Sequence, residues 1–448
     1  MLRVGFYSLS RDVASDKLQS DAIELLSELI RFDTVNPPGN ERPAIEHLDR
    51  YLRAAGFETQ LLAADENRPN LVATLTGDDD GPVLGLLGHV DTVLADPADW
   101  KHDPWSGDVV DGYLWGRGAL DMKDQVAAEA VAAATRARAG WRPARGALKL
   151  LFVSDEETGG EVGAAWLCSQ HPEAARCDML LNEGAGEVFE FDGRRRFGVA
   201  CAEKGIFRFN LNAAGEAGHA SVPQLGDNAL LKLAPALTAL ADAPRSYLST
   251  EAPAALLSGL GLDPSDIGAS LDAIGADAPA LRVLIEPMFE VTLTPTMVSA
   301  SSKMNVIPAR AQLRIDCRTP PGLGEDDARR RIAEVLGDDA SGLQIEFFEH
   351  TVGNASPVES ELMDAISRWV QSVEPGASTV PLILPAFSDS TWFRGAFPDC
   401  VAYGFFPMRH QGLLEAYPLM HNADERIDVR DLGFATRFYY DVIGDLLG

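Results

Sequence analysis

Cysteine is scarce and unpatterned. The five residues (Cys168, Cys177, Cys201, Cys317, Cys400) are odd in number, scattered, and nowhere in CxxC spacing. Neither a disulfide framework nor a thiolate zinc site is indicated, and they read as reduced core residues. Positive charge is in deficit as well: 38 Lys and Arg stand against 67 Asp and Glu, a formal net charge of -29. That balance argues against attraction to nucleic acid phosphates or an anionic membrane surface. Long apolar runs are missing too. The opening MLRVGFYSLSRDVASDKLQS has no sustained signal-peptide core, and no later segment supplies about 18 unbroken apolar residues for a membrane span. The expectation is a cytoplasmic protein without nucleic-acid or membrane partners. There is no internal repeat and no low-complexity segment.

What is present is a chain of 448 residues, 46% hydrophobic, enough for two or three domains and a large core. Asp21, followed by Ala22, Leu25, Leu26, Leu29 and Ile30, predicts an N-cap and a helix with one apolar stripe. NLVATLTG, PVLGLLGHV, ALKLLFVS and DMLLNEG read as short strands, separated by helical stretches such as DQVAAEAVAAATRARAG. This alternation predicts an α/β sheet with helices on both faces. From about Cys201 the style changes. GIFRFNLNAAG, a helix near Asn228 to Leu240, FEVTLTPTMV, ARAQLRIDCR, a helix over Glu325 to Leu336 and LQIEFFEH follow the ferredoxin-like order β-α-β-β-α-β, interrupted by an Ala/Gly/Pro/Asp-rich insertion from Ala243 to Pro287. The expected division is a first domain over 1–200, an inserted one over 201–352, and a return to the first over 353–448.

The chemistry concentrates at strand ends. LFVSDEETGG stops an apolar run on Asp155, Glu156 and Glu157; GHVDTV places His89 and Asp91 beyond another strand; LLNEGAG places Glu183 beyond a third. His-x-Asp puts two side chains on one side of an extended chain, so a carboxylate can orient an imidazole for metal binding. The pair alone serves a structural role as readily as a catalytic one. Asp121, in GRGALDMKDQ, reads alone as a helix N-cap. The crevice beyond the carboxyl ends of strands is where open α/β sheets bind ligands. Several carboxylates and a histidine converging there need positive charge, and that donor mixture suits Zn²⁺ or a similar ion, leaving one carboxylate free for proton transfer.

In combination, FDTVNPPGNE, WSGDVVDGYLWGRGALDMKD, SDEETGG and MHNADERI around His421 are similar to the dizinc metallopeptidase family of aminoacylase, acetylornithine deacetylase, succinyl-diaminopimelate desuccinylase and the glutamate carboxypeptidases. The similarity spans nearly the whole chain. It implies a zinc-peptidase-like three-layer α/β/α catalytic domain with an inserted ferredoxin-like α+β lid and dimerisation domain. It also implies residue roles: His89, Asp121 and Glu183 on one zinc, and Asp121, Glu157 and His421 on the other, with Asp121 bridging. Asp91 would orient His89. Glu156 would be the general base, taking a proton from metal-bound water and returning it to the leaving nitrogen. Two Zn²⁺ are implied, with Co²⁺ or Mn²⁺ as alternatives.

GEAGHASVPQLGDNA matches the family's Gly-His-x-Ser/Ala-x-Pro segment, which implies that His219 reaches a partner subunit's site in a homodimer to stabilise the oxyanion. MNVIPARAQLRIDCRTPPG matches the segment in which Asn305 and Arg318 meet substrate; for Arg318 a surface salt bridge competes. AFSDSTWFR departs from the frequent Thr-Asp-x-Arg pattern, with Ser388 for Thr and Thr391 for Arg, while Asp389 remains; Arg394 is a candidate to compensate, with a surface role as the favoured reading. The implied function is hydrolysis of the amide of N-acyl amino acids, an aminoacylase or deacylase, with a dipeptidase or carboxypeptidase acting on short peptides as the alternative. A non-catalytic binding protein would have lost a metal position or the base, and all six are intact.

Overall fold

The computed structural model describes residues 4–448, with side chains from residue 15 onward. The chain divides into two compact units, one of residues 1–201, 356–382 and 388–448, the other of residues 202–355 and 383–387.

In the larger unit, among the described residues, nine strands form one mixed sheet. The order along the sheet is Glu58–Asp65, Arg68–Thr76, Arg145–Val153, Asp79–His89, Met179–Asn182, Val401–Gly404, Arg194–Glu203 and Ser378–Leu384, with Val188–Phe191 paired beside Arg194–Glu203. The four central strands, from Arg145–Val153 to Val401–Gly404, run parallel. They are apolar on both faces, as parallel strands covered by helices must be. On one face Leu87, Leu151 and Val153 pack with Ala164, Leu167, Phe393 and Phe397 of two short helices. Elsewhere in this unit the helices Val4–Ile30, Lys123–Arg138 and Val429–Leu447 pack on one another, and the last two also touch the sheet. The first of these helices is continuous through Asp21, which is therefore not an N-cap; its carboxylate pairs with Lys17 at 3.0 Å, one turn earlier.

Register decides where the chemistry goes. His89 pairs with Val153, Leu86 with Leu181, and Gly404 with Asn182, so the parallel strands end level with one another. His89, the Asp155–Glu157 turn and Glu183 thus leave the sheet along one edge. A small second sheet of Val109–Val110, Tyr113–Trp115 and Arg426–Asp428 pairs Trp115 with Arg426, which draws the segment containing His421 toward the loop containing Asp121.

The smaller unit has an antiparallel sheet in which Arg310–Thr319 is flanked by Thr292–Ser299 on one side and Phe209–Ala214 on the other, with Leu343–Phe347 beyond the latter. The helices Ala234–Ala241 and Glu325–Leu336 supply Leu240, Ala328, Ile332 and Leu336 to a core with Leu211, Leu313 and Ile315. The Ala- and Pro-rich insertion is folded as three helices, Glu251–Gly259, Ile267–Asp277 and Pro279–Ile285. Among the described residues no helix is long and apolar enough to cross a membrane.

Candidate metal centre

Asp121 stands between two imidazoles. Its Oδ1 lies 3.1 Å from Nε2 of His89 and its Oδ2 lies 2.9 Å from Nε2 of His421. The other acids surround this axis: Glu157 Oε2 is 3.1 Å from His421 Nε2, and Glu156 Oε2 and Glu183 Oε1 are each 3.9 Å from His89 Nε2. Among the described residues, two groups bring ligand atoms within 4.8 Å of one another: His89, Asp121 and Glu157, and His89, Glu156 and Glu183. The structure therefore assembles all six residues expected at the site, within the larger unit. Proximity alone does not separate Glu156 from Glu183, since both are equally near His89.

Each side chain is held by its own local device. Asp121 does not cap the helix after it, whose N-cap position is Met122. The Glu425 carboxylate accepts the backbone N–H of Leu120 at 2.7 Å and of Asp121 at 3.1 Å, and it pairs with the buried Arg117 at 2.5 Å. Glu183 follows directly on a buried strand, and Gly404 of the neighbouring strand passes so close that a Cβ there would sit 1.9 Å from the Glu183 carbonyl oxygen. His421 adopts a φ of 59°, in the left-handed region.

Asp91 is fully buried. His89 Nδ1 lies 3.0 Å from its carbonyl oxygen and 3.5 Å from its Oδ1. The Asp91 carboxylate also accepts from Glu156 N at 3.2 Å, Glu157 N at 3.1 Å and Asn36 Nδ2 at 2.8 Å. It thus supports the glutamate turn as well as the histidine. Asn36, Arg68, Glu425 and Arg117 were not singled out from sequence. Asn36, Arg117 and Glu425 lie inside the quoted FDTVNPPGNE, WSGDVVDGYLWGRGALDMKD and MHNADERI, which were the available signal; Arg68 lies in no quoted motif and is a single polar residue without a local pattern.

The electrostatics follow from burial and crowding. Desolvation pushes the Glu156 and Glu183 carboxyls well above the usual range; Glu183 adds to the rise at Glu156, and Asp121 and Glu157 add to that at Glu183. Desolvation raises Glu157 too, against its bond to His421. Burial opposes charge on His89, but its hydrogen bonds to Asp121 and Asp91 prevail and raise it well above an ordinary histidine. Bonds to Asp121 and Glu157 lift His421 to about 10. Burial works against the Asp121 carboxylate, yet the two imidazoles hold it below its ordinary value. Glu157 Oε1 is buried with no hydrogen-bond partner. A set of two imidazoles and four carboxylates, mutually repelling and with one orphaned oxygen, fits one or more divalent cations.

The sequence from residue 85 to 445 matches the model of peptidase family M20/M25/M40. The chain belongs to this family. As an M20 member it is an enzyme, a metal-dependent hydrolase, and its fold is the family's α/β catalytic domain with a second, lid-type domain. A succinyl-diaminopimelate desuccinylase of Xanthobacter autotrophicus is 28% identical over 432 residues, covering 94% of this chain and 97% of that protein. Among solved structures, an M20 family metallo-carboxypeptidase from Sulfolobus solfataricus superposes with a TM-score of 0.71 at 18% identity, over 94% of this chain and 98% of that one. A dinuclear metal-binding M20 peptidase of Bacillus subtilis gives 0.61 at 14% identity, over 96% and 99%.

The remaining expected site residues of this M20 hydrolase lie in the smaller unit. His219 is exposed, its Nδ1 2.7 Å from Ser221 Oγ, and the strand Gly218–His219 pairs with Val306–Ile307. Asn305 is its neighbour across that pairing, accepting the Ala220 N–H at 3.1 Å. Arg318 sits on Arg310–Thr319 with its guanidinium on Asp316 at 2.8 Å, while its Nη1 is buried and unpartnered. Arg394 is not a surface residue. It is buried in the larger unit and donates to Ser356 Oγ at 3.1 Å and to the Ala402 carbonyl at 2.6 Å, which ties a helix to the sheet.

Proposed function

We propose that the protein hydrolyses the amide bond of N-acyl amino acids, with two zinc ions held by His89, Asp121 and Glu183 and by Asp121, Glu157 and His421. The observation that carries the reading is the Asp121 carboxylate set between two imidazoles at 3.1 and 2.9 Å, the arrangement a bridging ligand requires. Similarity to desuccinylases along nearly the full chain favours an acylated amino acid as substrate.

When bound, the ions would polarise the scissile carbonyl and make water acidic enough to ionise near neutral pH. The work of the chain is positional. Asp91 fixes the His89 ring through Nδ1, which leaves Nε2 directed toward Asp121 as a ligand atom. Glu156 is held by its backbone N–H on Asp91, so its carboxylate stands on the His89 side of the cluster. As general base it takes a proton from the attacking water and gives it to the leaving nitrogen, which departs as an amine. Its elevated pKa, caused by burial and by Glu183, suits a group that must both accept and return a proton. In this reading His219 would stabilise the oxyanion, Asn305 and Arg318 would contact substrate, and the chain would act as a homodimer through its smaller unit.

A second reading keeps the chemistry and exchanges the substrate for a short peptide; the similarity to a metallo-carboxypeptidase supports it. The test is a panel of N-acyl amino acids and dipeptides offered to zinc-loaded protein, chelated protein and the Glu156→Ala variant. Zinc-dependent turnover of acylated amino acids that is lost in the variant is expected. Turnover confined to dipeptides would transfer the protein to the peptidase reading. Undiminished turnover by the variant would remove Glu156 from the mechanism.

A further inference from the structure

Asp155 heads three consecutive carboxylates, yet it is not among the groups gathered around His89 and His421. Its oxygens are taken up elsewhere. Oδ1 lies 2.9 Å from Arg68 Nη1 and accepts from Thr158 Oγ1 at 2.6 Å and Asn36 Nδ2 at 3.2 Å. Oδ2 accepts the Val162 N–H at 3.0 Å. The Asp155 backbone has a φ of 76°, a left-handed conformation that Asp, with its short locally bonding carboxylate, visits more readily than most L-residues.

Arg68 is held just as firmly from its other edge. Nε lies 3.1 Å from both oxygens of the fully buried Glu41, and Nη2 lies 2.6 Å from Oε1. The guanidinium is thus a planar fork between two buried carboxylates, a geometry that an ammonium cannot supply. The turn that carries Asn36 closes against it: Gly39 has a φ of 80°, and a Cβ there would stand 2.2 Å from Arg68 Nε. Asn36 in turn reaches both Asp155 and Asp91, and Asp91 receives the N–H groups of Glu156 and Glu157.

We propose that Arg68 is a positioning residue for the glutamate pair: clamped between Glu41 and Asp155, it fixes the turn from which Glu156 and Glu157 project. The proposal rests on the reading of Glu156 as base and Glu157 as ligand.

The experiment compares Arg68→Gln, Arg68→Lys, Asp155→Asn and the Arg68→Gln/Asp155→Asn double variant with the parent. Zinc affinity of the stripped proteins is read by competition with a chromophoric chelator, alongside kcat, KM and the thermal midpoint. Arg68→Gln is expected to weaken one of two zinc sites and to lower kcat, each by about 10- to 100-fold, the range for groups that orient metal ligands. KM should stay within about threefold. Arg68→Lys should fail to restore either quantity, and the double variant should be no worse than the more affected single one, because the two residues act as one unit.

A lowered midpoint with unchanged zinc affinity and unchanged kcat would reduce Arg68 to a structural role and overturn the proposal. Should Arg68→Gln not fold, the nearly isosteric Asp155→Asn carries the test, and parental zinc affinity in that variant overturns the proposal as well. If the parent binds zinc but turns over nothing in the panel, the proposed activity fails while the zinc measurement still decides the role of Arg68.

Discussion

At the scale of single residues, the site depends on groups that never face it. Glu425 is fully buried and satisfies three donors, the N–H groups of Leu120 and Asp121 and the guanidinium of Arg117. Glu425→Ala leaves Arg117 buried without its carboxylate, a loss of about 3–5 kcal/mol for a broken buried pair. Urea denaturation should show that loss. Zinc affinity should fall with it, and an unchanged urea midpoint would mean that the pair carries no net stability. Lys204 in the smaller unit makes a different prediction. Its buried ammonium donates to the Glu290 carbonyl at 2.8 Å and to that of Pro287 at 2.5 Å, but desolvation prevails and lowers its pKa to about 7. Between that value and the ordinary 10.5 the unfolded chain binds more protons than the folded one, so stability should rise with pH across this window. Lys204→Met should flatten that rise in denaturation curves taken from pH 7 to 10, and an identical slope in the variant would show that Lys204 titrates normally.

At the scale of elements, the closeness of Val401–Gly404 to the Glu183 segment is set by a glycine. Gly404→Ala would force its Cβ to within 1.9 Å of a backbone oxygen, which no rotamer change relieves. The variant should lose more than the roughly 1–3 kcal/mol of ordinary overpacking, together with zinc affinity through Glu183. A thermal melt matching the parent would show that the strand can shift at little cost. Strength of apolar patterning decided which elements were legible in the sequence. Strands with strong apolar runs, such as PVLGLLGHV and ALKLLFVS, are found where the pattern places them, and the helix over Glu325–Leu336 has the expected bounds. Of the strands that escaped notice, three in the main sheet did so for plain physical reasons. Glu58–Asp65 is an exposed edge with little apolar signal, Arg194–Glu203 begins with three arginines, and Ser378–Leu384 contains Pro381, which an edge strand tolerates. The site residues were legible because strand ends and turns keep them in short contiguous motifs. Their supports were not. Arg68 lies 87 positions before Asp155, Glu425 lies 304 positions beyond Asp121, and only the folded chain brings them together.

At the scale of the molecule, metal is expected to be a structural as well as a chemical partner. All six candidate ligand and base residues belong to the larger unit, where their carboxylates are buried against their own repulsion in a chain of net charge -29. A cation that binds only the folded state adds about 2.7 kcal/mol of stability at a hundredfold excess over its Kd. Chelation should therefore lower the calorimetric transition of the larger unit and leave that of the smaller one in place. Salt complicates the reading, because screening of so much negative charge also stabilises the compact state. The comparison is thus made at constant ionic strength, with zinc added back to the chelated sample. Restoration by zinc but not by an equal charge of sodium would assign the effect to the cluster around Asp121. A transition that responds equally to both would mean that the cluster is balanced by general screening, and the assignment of His89, Asp121, Glu157, Glu183 and His421 as ligands would fall with it.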